Sequence, residues 1–243
     1  FLYKLLMKKV FIAFGVFIVF LMVLLFSLPF LFKDKINSRV KDEINKQLNA
    51  KVDYGDFKLS LLRNFPNFSF TINDVSVVGV DDFKDDTLAY INNFNFTVDL
   101  MSVFKGHKYK ILAINLVEPV INAKVTYDGK ANWDIVKSKD TAEKTGGEKS
   151  AFALAIKRYK IENGEITYDD KQGNTFAKIH ALNFEGSGNV TKDIYDFVTQ
   201  TEVKELTFTN GAATYLSKAK LNASVNLLVD NVNSKYTFKE NSL

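Results

Sequence analysis

The chain reads as a mainly β protein behind an N-terminal membrane helix, and three observations predict this. All 23 residues from Val10 to Phe32 are apolar except Gly15, Ser27 and Pro29. Behind that run Ile36, Val40, Ile44 and Leu48 recur every four positions among charged neighbours. From Val52 the period falls to two and stays there almost to the end, the spacing of half-buried strands.

Residues 1–9 form the N-terminal segment, with Lys4, Lys8 and Lys9 and no acid. Met7-Lys8-Lys9 has the form of a translation start, which makes residues 1–6 an upstream extension or a cut end. The run 10–32 would reach about 34 Å as a helix, enough for a hydrocarbon core of about 30 Å. It is too long for a signal peptide and lacks a small-residue cleavage site, so it is expected to remain as an anchor. Counting Lys33, Lys35, Arg39, Lys41 and Lys46 alone would leave the body in the cytoplasm. The start-like basic segment, and the indifference of large translocated domains to their own charge, favour a cytoplasmic N-terminus and a body across the membrane.

Residues 33–50 are expected to form an amphipathic helix that either caps the open end of the following sheet or lies on the membrane surface. Over 51–136 the alternation is clean. Phe68, Phe70 and Ile72 oppose Ser69, Thr71 and Asn73; Phe94, Phe96, Val98 and Leu100 oppose Asn93, Asn95, Thr97 and Asp99. Ile121, Ala123, Val125 and Tyr127 repeat the pattern, and Tyr127-Asp128-Gly129-Lys130 predicts a hairpin turn because Asp-Gly tolerates positive φ. Residues 137–150 hold no apolar side chain larger than Ala142 and read as a flexible linker. A second β-region, 151–243, ends with Leu221, Ala223, Val225, Leu227 and Val229 on one face. One dry and one wet face predict an antiparallel sheet. With few helices to cover it, the dry face must close on itself as a sandwich or barrel, or curl around an apolar guest. Val117-Glu118-Pro119-Val120-Ile121 resembles Ile161-Glu162-Asn163-Gly164-Glu165-Ile166, the mark of a repeated β-unit.

Chemistry is harder to find. There is no cysteine, hence no disulfide framework or thiolate site. Three of the 32 Lys and Arg precede residue 33, leaving a body of net charge +1, which argues against nucleic acid as partner. His107 and His180 lack a second metal ligand at useful spacing, and Asp81, Asp82, Asp85 and Asp86 lack the alternation and central Gly of an EF-hand. Gly186-Ser187-Gly188 fits neither a nucleophile elbow nor a P-loop. Trp133 has no basic surround and reads as a packed aromatic rather than a base-stacking platform. The composition therefore predicts no enzyme and no cofactor. Its 22 phenylalanines, several in the alternating strands, would fill either an ordinary core or an acyl-chain groove, and periodicity does not separate the two.

The order of parts resembles the N-terminal region of AsmA-like proteins of the Gram-negative envelope. The resemblance is carried by the anchor, the segment Lys33 to Ala50, Phe65-Pro66 before Phe68-x-Phe70-x-Ile72-x-Asp74-Val75, and Leu88-Ala89-x-Ile91. It continues through Asp99-Leu100-Met101-Ser102-Val103-Phe104-Lys105-Gly106, Ile114-x-Leu116-x-x-Pro119-x-Ile121, Asp128-Gly129-Lys130-Ala131-Asn132-Trp133-Asp134 and Asn163 to Asp170. It implies a single-pass inner-membrane anchor with a periplasmic body, curled into an apolar-lined β-groove. It also implies a part in outer-membrane biogenesis, in a superfamily linked to phospholipid movement. The expected groove lining is Phe68, Phe70, Ile72, Phe94, Phe96, Val98, Leu221, Val225 and Leu227, the partners phospholipid and the inner membrane. Phe96→Asp is expected to impair function and Thr97→Asp to be tolerated. The rival reading is an anchored β-domain with a filled core that assists outer-membrane protein assembly. Family members are usually much longer, so the sequence also reads as a fragment whose second β-region is cut short.

Overall fold

The computed structural model describes residues 41–105, 109–137, 152–189 and 192–242. The expected anchor at 10–32, most of the amphipathic segment, the Gly106-His107-Lys108 connection and nearly all of the linker lie outside these. By compactness the chain divides into Phe1–Lys46 and Gln47–Leu243. Among the described residues no helix is long and apolar enough to cross a membrane. A helix covers 41–47, and the chain leaves it earlier than the periodicity predicts: Leu48 forms an isolated bridge with Val136, and Ala50 opens the first strand.

The strands are β1 (Ala50–Asp53), β2 (Phe57–Asn64), β3 (Asn67–Gly79), β4 (Thr87–Val98), β5 (Tyr109–Val125), β6 (Phe152–Asp170), β7 (Thr175–Ser187), β8 (Ile194–Asn210), β9 (Ala213–Asp230) and β10 (Lys235–Phe238). All belong to one open sheet in the order β1-β3-β4-β5-β6-β7-β8-β9-β10, with β2 beside β1 on the free edge of β3. Strands on both sides of the expected linker thus share one sheet.

The sheet is mixed, which corrects the expectation of a purely antiparallel one: β5 and β6 run parallel. The reason lies after the Asp-Gly turn. Gly129 takes φ +83° and the Thr126 N–H donates to the Lys130 carbonyl at 2.9 Å, so the predicted turn forms. The chain beyond it, however, does not return as a neighbouring strand. Asn132 is buried and bonds the backbone of β5 on both sides, its Nδ2 donating to the Asn122 carbonyl at 2.7 Å and its Oδ1 accepting from the Lys124 N–H at 2.9 Å. Residues 135–137 then pair with 47–49, so the next long strand starts only at Phe152, far enough on for a crossover to a parallel position. The two similar segments noted in the sequence consequently lie side by side, Leu116 against Ile161 and Val120 against Glu165.

A line of kinks crosses the sheet. In each of β3 to β9 the apolar positions that pair across strands stand mostly two apart, with a three-residue step along a shared line; β5 has a further such step near its start, from Ile111 to Ile114. The gaps fall at Ile72 to Val75, Ile91 to Phe94, Leu116 to Pro119, Ile161 to Gly164, Ile179 to Leu182, Val203 to Leu206 and Leu216 to Ala219. Five of these gaps contain a non-glycine residue in the left-handed region: Asp74, Glu118, Asn163, Ala181 and Lys218, all with φ between 50° and 53°. Such a residue costs roughly 1–2 kcal/mol unless it is Asn or Asp, whose side chains bond locally. The kink restores the side-chain direction that an odd step would reverse. A Cβ placed on Gly164 would lie 2.9 Å from Ile161 Cγ2 and 3.3 Å from Pro119 Cγ, so positions 161 and 164 face the same way.

Candidate functional site

The apolar face is assembled by register. Phe68 pairs with Val98, Phe70 with Phe96, and Ile72 with Phe94, so six of the nine expected lining residues are direct cross-strand partners. Phe94 then faces Leu116 and Phe96 faces Ile114; these face Ile161 and Tyr159 in turn. The rows continue through Phe184 and Gly186 to Thr201 and Thr199, and end at Ala223 and Val225 on β9. Leu221 pairs with Val203 and Leu227 with Phe197, so the remaining three lie on the same face, with four strands between them and Phe94 and Phe96. The sequence reading missed Ile114, Leu116, Tyr159, Ile161 and Phe184, although Ile114-x-Leu116 carries the same alternation.

The geometry of this face is aromatic at one side. The rings of Phe70 and Phe96 stack at 4.9 Å with planes 8° apart, and Phe94 leans on Phe96 at 5.5 Å. Further on, Tyr159 meets the edge of Phe197 at 6.2 Å past Gly186, which has no side chain to intervene. Burial raises the Tyr159 phenol above its ordinary value, with Tyr195 adding to the effect.

What covers the face is little. Of the nine residues only Val98 is buried; the other eight are half-buried. Among the described residues the helical pieces are short (41–47, Asp81–Phe83 and Leu100–Lys105), and no second sheet is present. A sheet with one dry face normally buries it against another layer. Here that layer is missing from the described part.

The opposite face bonds largely within itself, although the buried amide oxygens of Asn115 and Asn226 have no hydrogen-bond partner. The Thr71 hydroxyl donates to Asn95 Oδ1 at 2.6 Å, Asn115 Nδ2 donates to Glu162 at 2.8 Å, and Lys160 stands 3.5 Å from Glu162. Thr97 is also buried there, accepting from Asn64 Nδ2 at 3.2 Å. It is therefore a poor choice for a harmless aspartate, contrary to the expectation.

The candidate chemical groups are engaged structurally. Asp86 pairs with Lys124 at 2.8 Å and Asp82 with Lys130 at 2.5 Å, so half of the acidic loop is neutralised by lysines. His180 is a strand residue opposite Glu205, with its Nδ1 against the Glu165 carboxylate. Gly186 and Ser187 end β7 in the sheet, and the Gly188 N–H bonds the Lys157 carbonyl. No group of three or more His, Asp or Glu able to hold a metal occurs among the described residues. Trp133 is 45% exposed and leans on Tyr168, ring centres 6.0 Å apart.

Together these features define, among the described residues, a single open sheet with an apolar face on one side and a hydrogen-bonded polar face on the other. The chain belongs to the AsmA family, whose pattern matches residues 6–241, nearly the whole chain. Comparison with curated proteins and with solved structures gives no match.

Proposed function

We propose that this protein is a membrane-anchored, non-enzymatic component of envelope biogenesis that holds or conducts phospholipid acyl chains on its apolar sheet face. The observation that carries the reading is the half-exposed row of Phe70, Phe96, Phe94 and their neighbours in a sheet that no second layer covers among the described residues. An uncovered apolar face of this extent marks an interaction surface. Hydrocarbon suits it because no hydrogen-bonding group is required, and each buried methylene gains about 0.8 kcal/mol. Movement along such a face needs only similar affinity at successive sites. The run 10–32 supplies the inner-membrane anchor in this reading, with the body in the periplasm; family membership supports the envelope role.

The test is in-cell photocrosslinking with a probe at Phe96 and, separately, at Gln200, an exposed residue one position before Thr201 and so on the opposite face. Lipid adducts at Phe96 and none at Gln200 are expected. Adducts confined to the protein itself at Phe96 would overturn the reading. In parallel, Phe96→Asp should impair envelope integrity while Gln200→Asp should not.

One observation favours a second reading, in which the protein assists outer-membrane protein assembly through an open strand edge. β10 pairs only with Leu227 to Asp230, leaving the outer edge of 213–223 without a partner strand among the described residues. An extended segment could add there by strand pairing. A protein crosslink at Tyr215 with no lipid at Phe96 would favour it.

A further inference from the structure

The Trp133 end of the apolar face gathers three exposed apolar side chains in one ten-residue segment, Tyr127, Trp133 and Val136. Tyr127 is 80% exposed and Val136 69%, in the short segment that begins where β5 ends. Trp133 leans on Tyr168, which sits near the end of β6 next to Ala123 on the dry face. The segment is held rigidly: buried Asn132 locks it to β5, and Val136 bridges to Leu48.

This is also the place where the chain enters the sheet. Only 15 residues separate Phe32, the last of the long apolar run, from Leu48. Fully extended they span about 50 Å, and as a helix about 22 Å. The tether therefore keeps this end within reach of any bilayer that holds the run. Three cations around the patch are engaged with acids, Lys130 with Asp82 and Asp128, Lys124 with Asp86, and Lys171 with Asp169, and over residues 127–137 Asp128 and Asp134 balance Lys130 and Lys137. The patch thus offers exposed aromatic and aliphatic surface without surplus positive charge. That chemistry suits the interfacial zone of a bilayer, where Trp and Tyr concentrate, rather than a layer of anionic headgroups.

We infer that the Tyr127–Val136 segment seats this end of the sheet in the interface of the bilayer holding the anchor, so that the apolar face opens directly onto the lipid. The inference rests on the membrane-anchored reading above and adds to it a docking surface and its orientation.

Trp133 is the only tryptophan in the sequence, which makes the test direct. The full chain is reconstituted in phosphatidylcholine vesicles, with or without a lipid carrying a nitroxide near the headgroup, and the emission is followed. The expected result is a blue-shifted emission that shallow nitroxide lipid quenches, that iodide does not reach, and that stays unchanged from low to high salt. The double variant Tyr127→Ser with Val136→Ser alters exposed side chains and should reduce the nitroxide quenching. Free access of iodide without nitroxide quenching would overturn the inference. So would quenching of equal depth in the double variant, because Trp133 would then be sensing lipid held on the sheet. The two readings separate cleanly. Trp133 quenching without lipid adducts at Phe96 would sink the groove and leave the docking; adducts at Phe96 without Trp133 quenching would do the reverse. Release of the chain by alkaline extraction alongside Trp133 quenching would overturn the anchor and with it the inferred orientation.

Discussion

The two halves of the apolar face are built differently. On β3 to β6 the facing positions are Phe70, Phe96, Ile114 and Tyr159 in one row and Ile72, Phe94, Leu116 and Ile161 in the next. On β7 to β9 the same rows continue as Gly186, Thr199 and Val225, and as Phe184, Thr201 and Ala223. The first half is a wall of rings and branched aliphatics. The second has small side chains and two hydroxyls, one of which, Thr199, is buried. Hydrocarbon gains most against the first half, whose one hydroxyl in these rows, on Tyr159, is already bonded to the Ile156 carbonyl at 3.4 Å. The second half is narrower in chemistry but leaves more room, as the contact of Tyr159 with Phe197 past Gly186 illustrates.

The largest test of this contrast is glycine to alanine at two buried glycines, one in each half, Gly164 and Gly186. At Gly164 the new methyl would lie 2.9 Å from Ile161 Cγ2 and 3.3 Å from the ring of buried Pro119, and Pro119 cannot turn aside. Gly164→Ala is expected to cost about 1–3 kcal/mol, as overpacking does, read as a lowered Tm. At Gly186 the nearest atoms are the far end of the Phe184 ring at 3.2 Å, which can move. Gly186→Ala should stay within about 1 kcal/mol of the parent. Equal losses would show that the two halves are equally tight.

A smaller effect is expected from the stacked pair. Because Phe70 and Phe96 are half-buried, truncating either to alanine should cost less than the roughly 3–5 kcal/mol of a core phenylalanine. A double-mutant cycle should return about 0.5–1.5 kcal/mol of coupling for their 4.9 Å stack. On the other half, Thr199→Val removes a hydroxyl from the dry face at nearly constant volume. It should leave Tm unchanged or raised and increase lipid adducts from a probe at Val225. A fall in both would mean that the hydroxyl serves a partner within the sheet.

The smallest effect concerns pH and lies outside both halves. Asp128 is held below its ordinary value by its bonds to Thr126 and then Lys130, and Asp230 by its bonds to the Asn233 side chain and backbone. Both are depressed in the folded state. Their contribution is therefore complete above the unfolded carboxylate value near 4 and is lost as pH falls through the depressed folded values. Both groups are exposed, so the expected change is slight: Tm should be flat from pH 7 to 5 and decline only below about 4. Asp128→Asn should remove part of that decline. A drop already between pH 7 and 5 would point to a different group.

Much of the site was legible in the sequence, and the reason is local. A strand turns alternate side chains to opposite faces, so Phe68, Phe70 and Ile72 had to share a face wherever the strand went. The same holds for Phe94, Phe96 and Val98, and for Leu221, Val225 and Leu227. The Asp-Gly turn at 128–129 was equally local, because its positive φ is a property of the residues themselves. Family membership, too, could be read from the order of short motifs, and the family match over 6–241 agrees with it.

Tertiary structure alone decided how these faces meet. Nothing local says that Phe70 stacks on Phe96, that four strands separate the β9 residues from Phe94 and Phe96, or that β5 and β6 run parallel. Register and strand order are long-range choices, made by what each strand finds beside it when the sheet closes its hydrogen bonds. The kinks at Asp74, Glu118, Asn163, Ala181 and Lys218 belong to the same category. Their sequence trace is a three-residue step between apolar positions, which by itself looks like a strand losing its pattern. Only the neighbouring strands, kinked alongside, show that each step keeps an apolar residue on the one dry face.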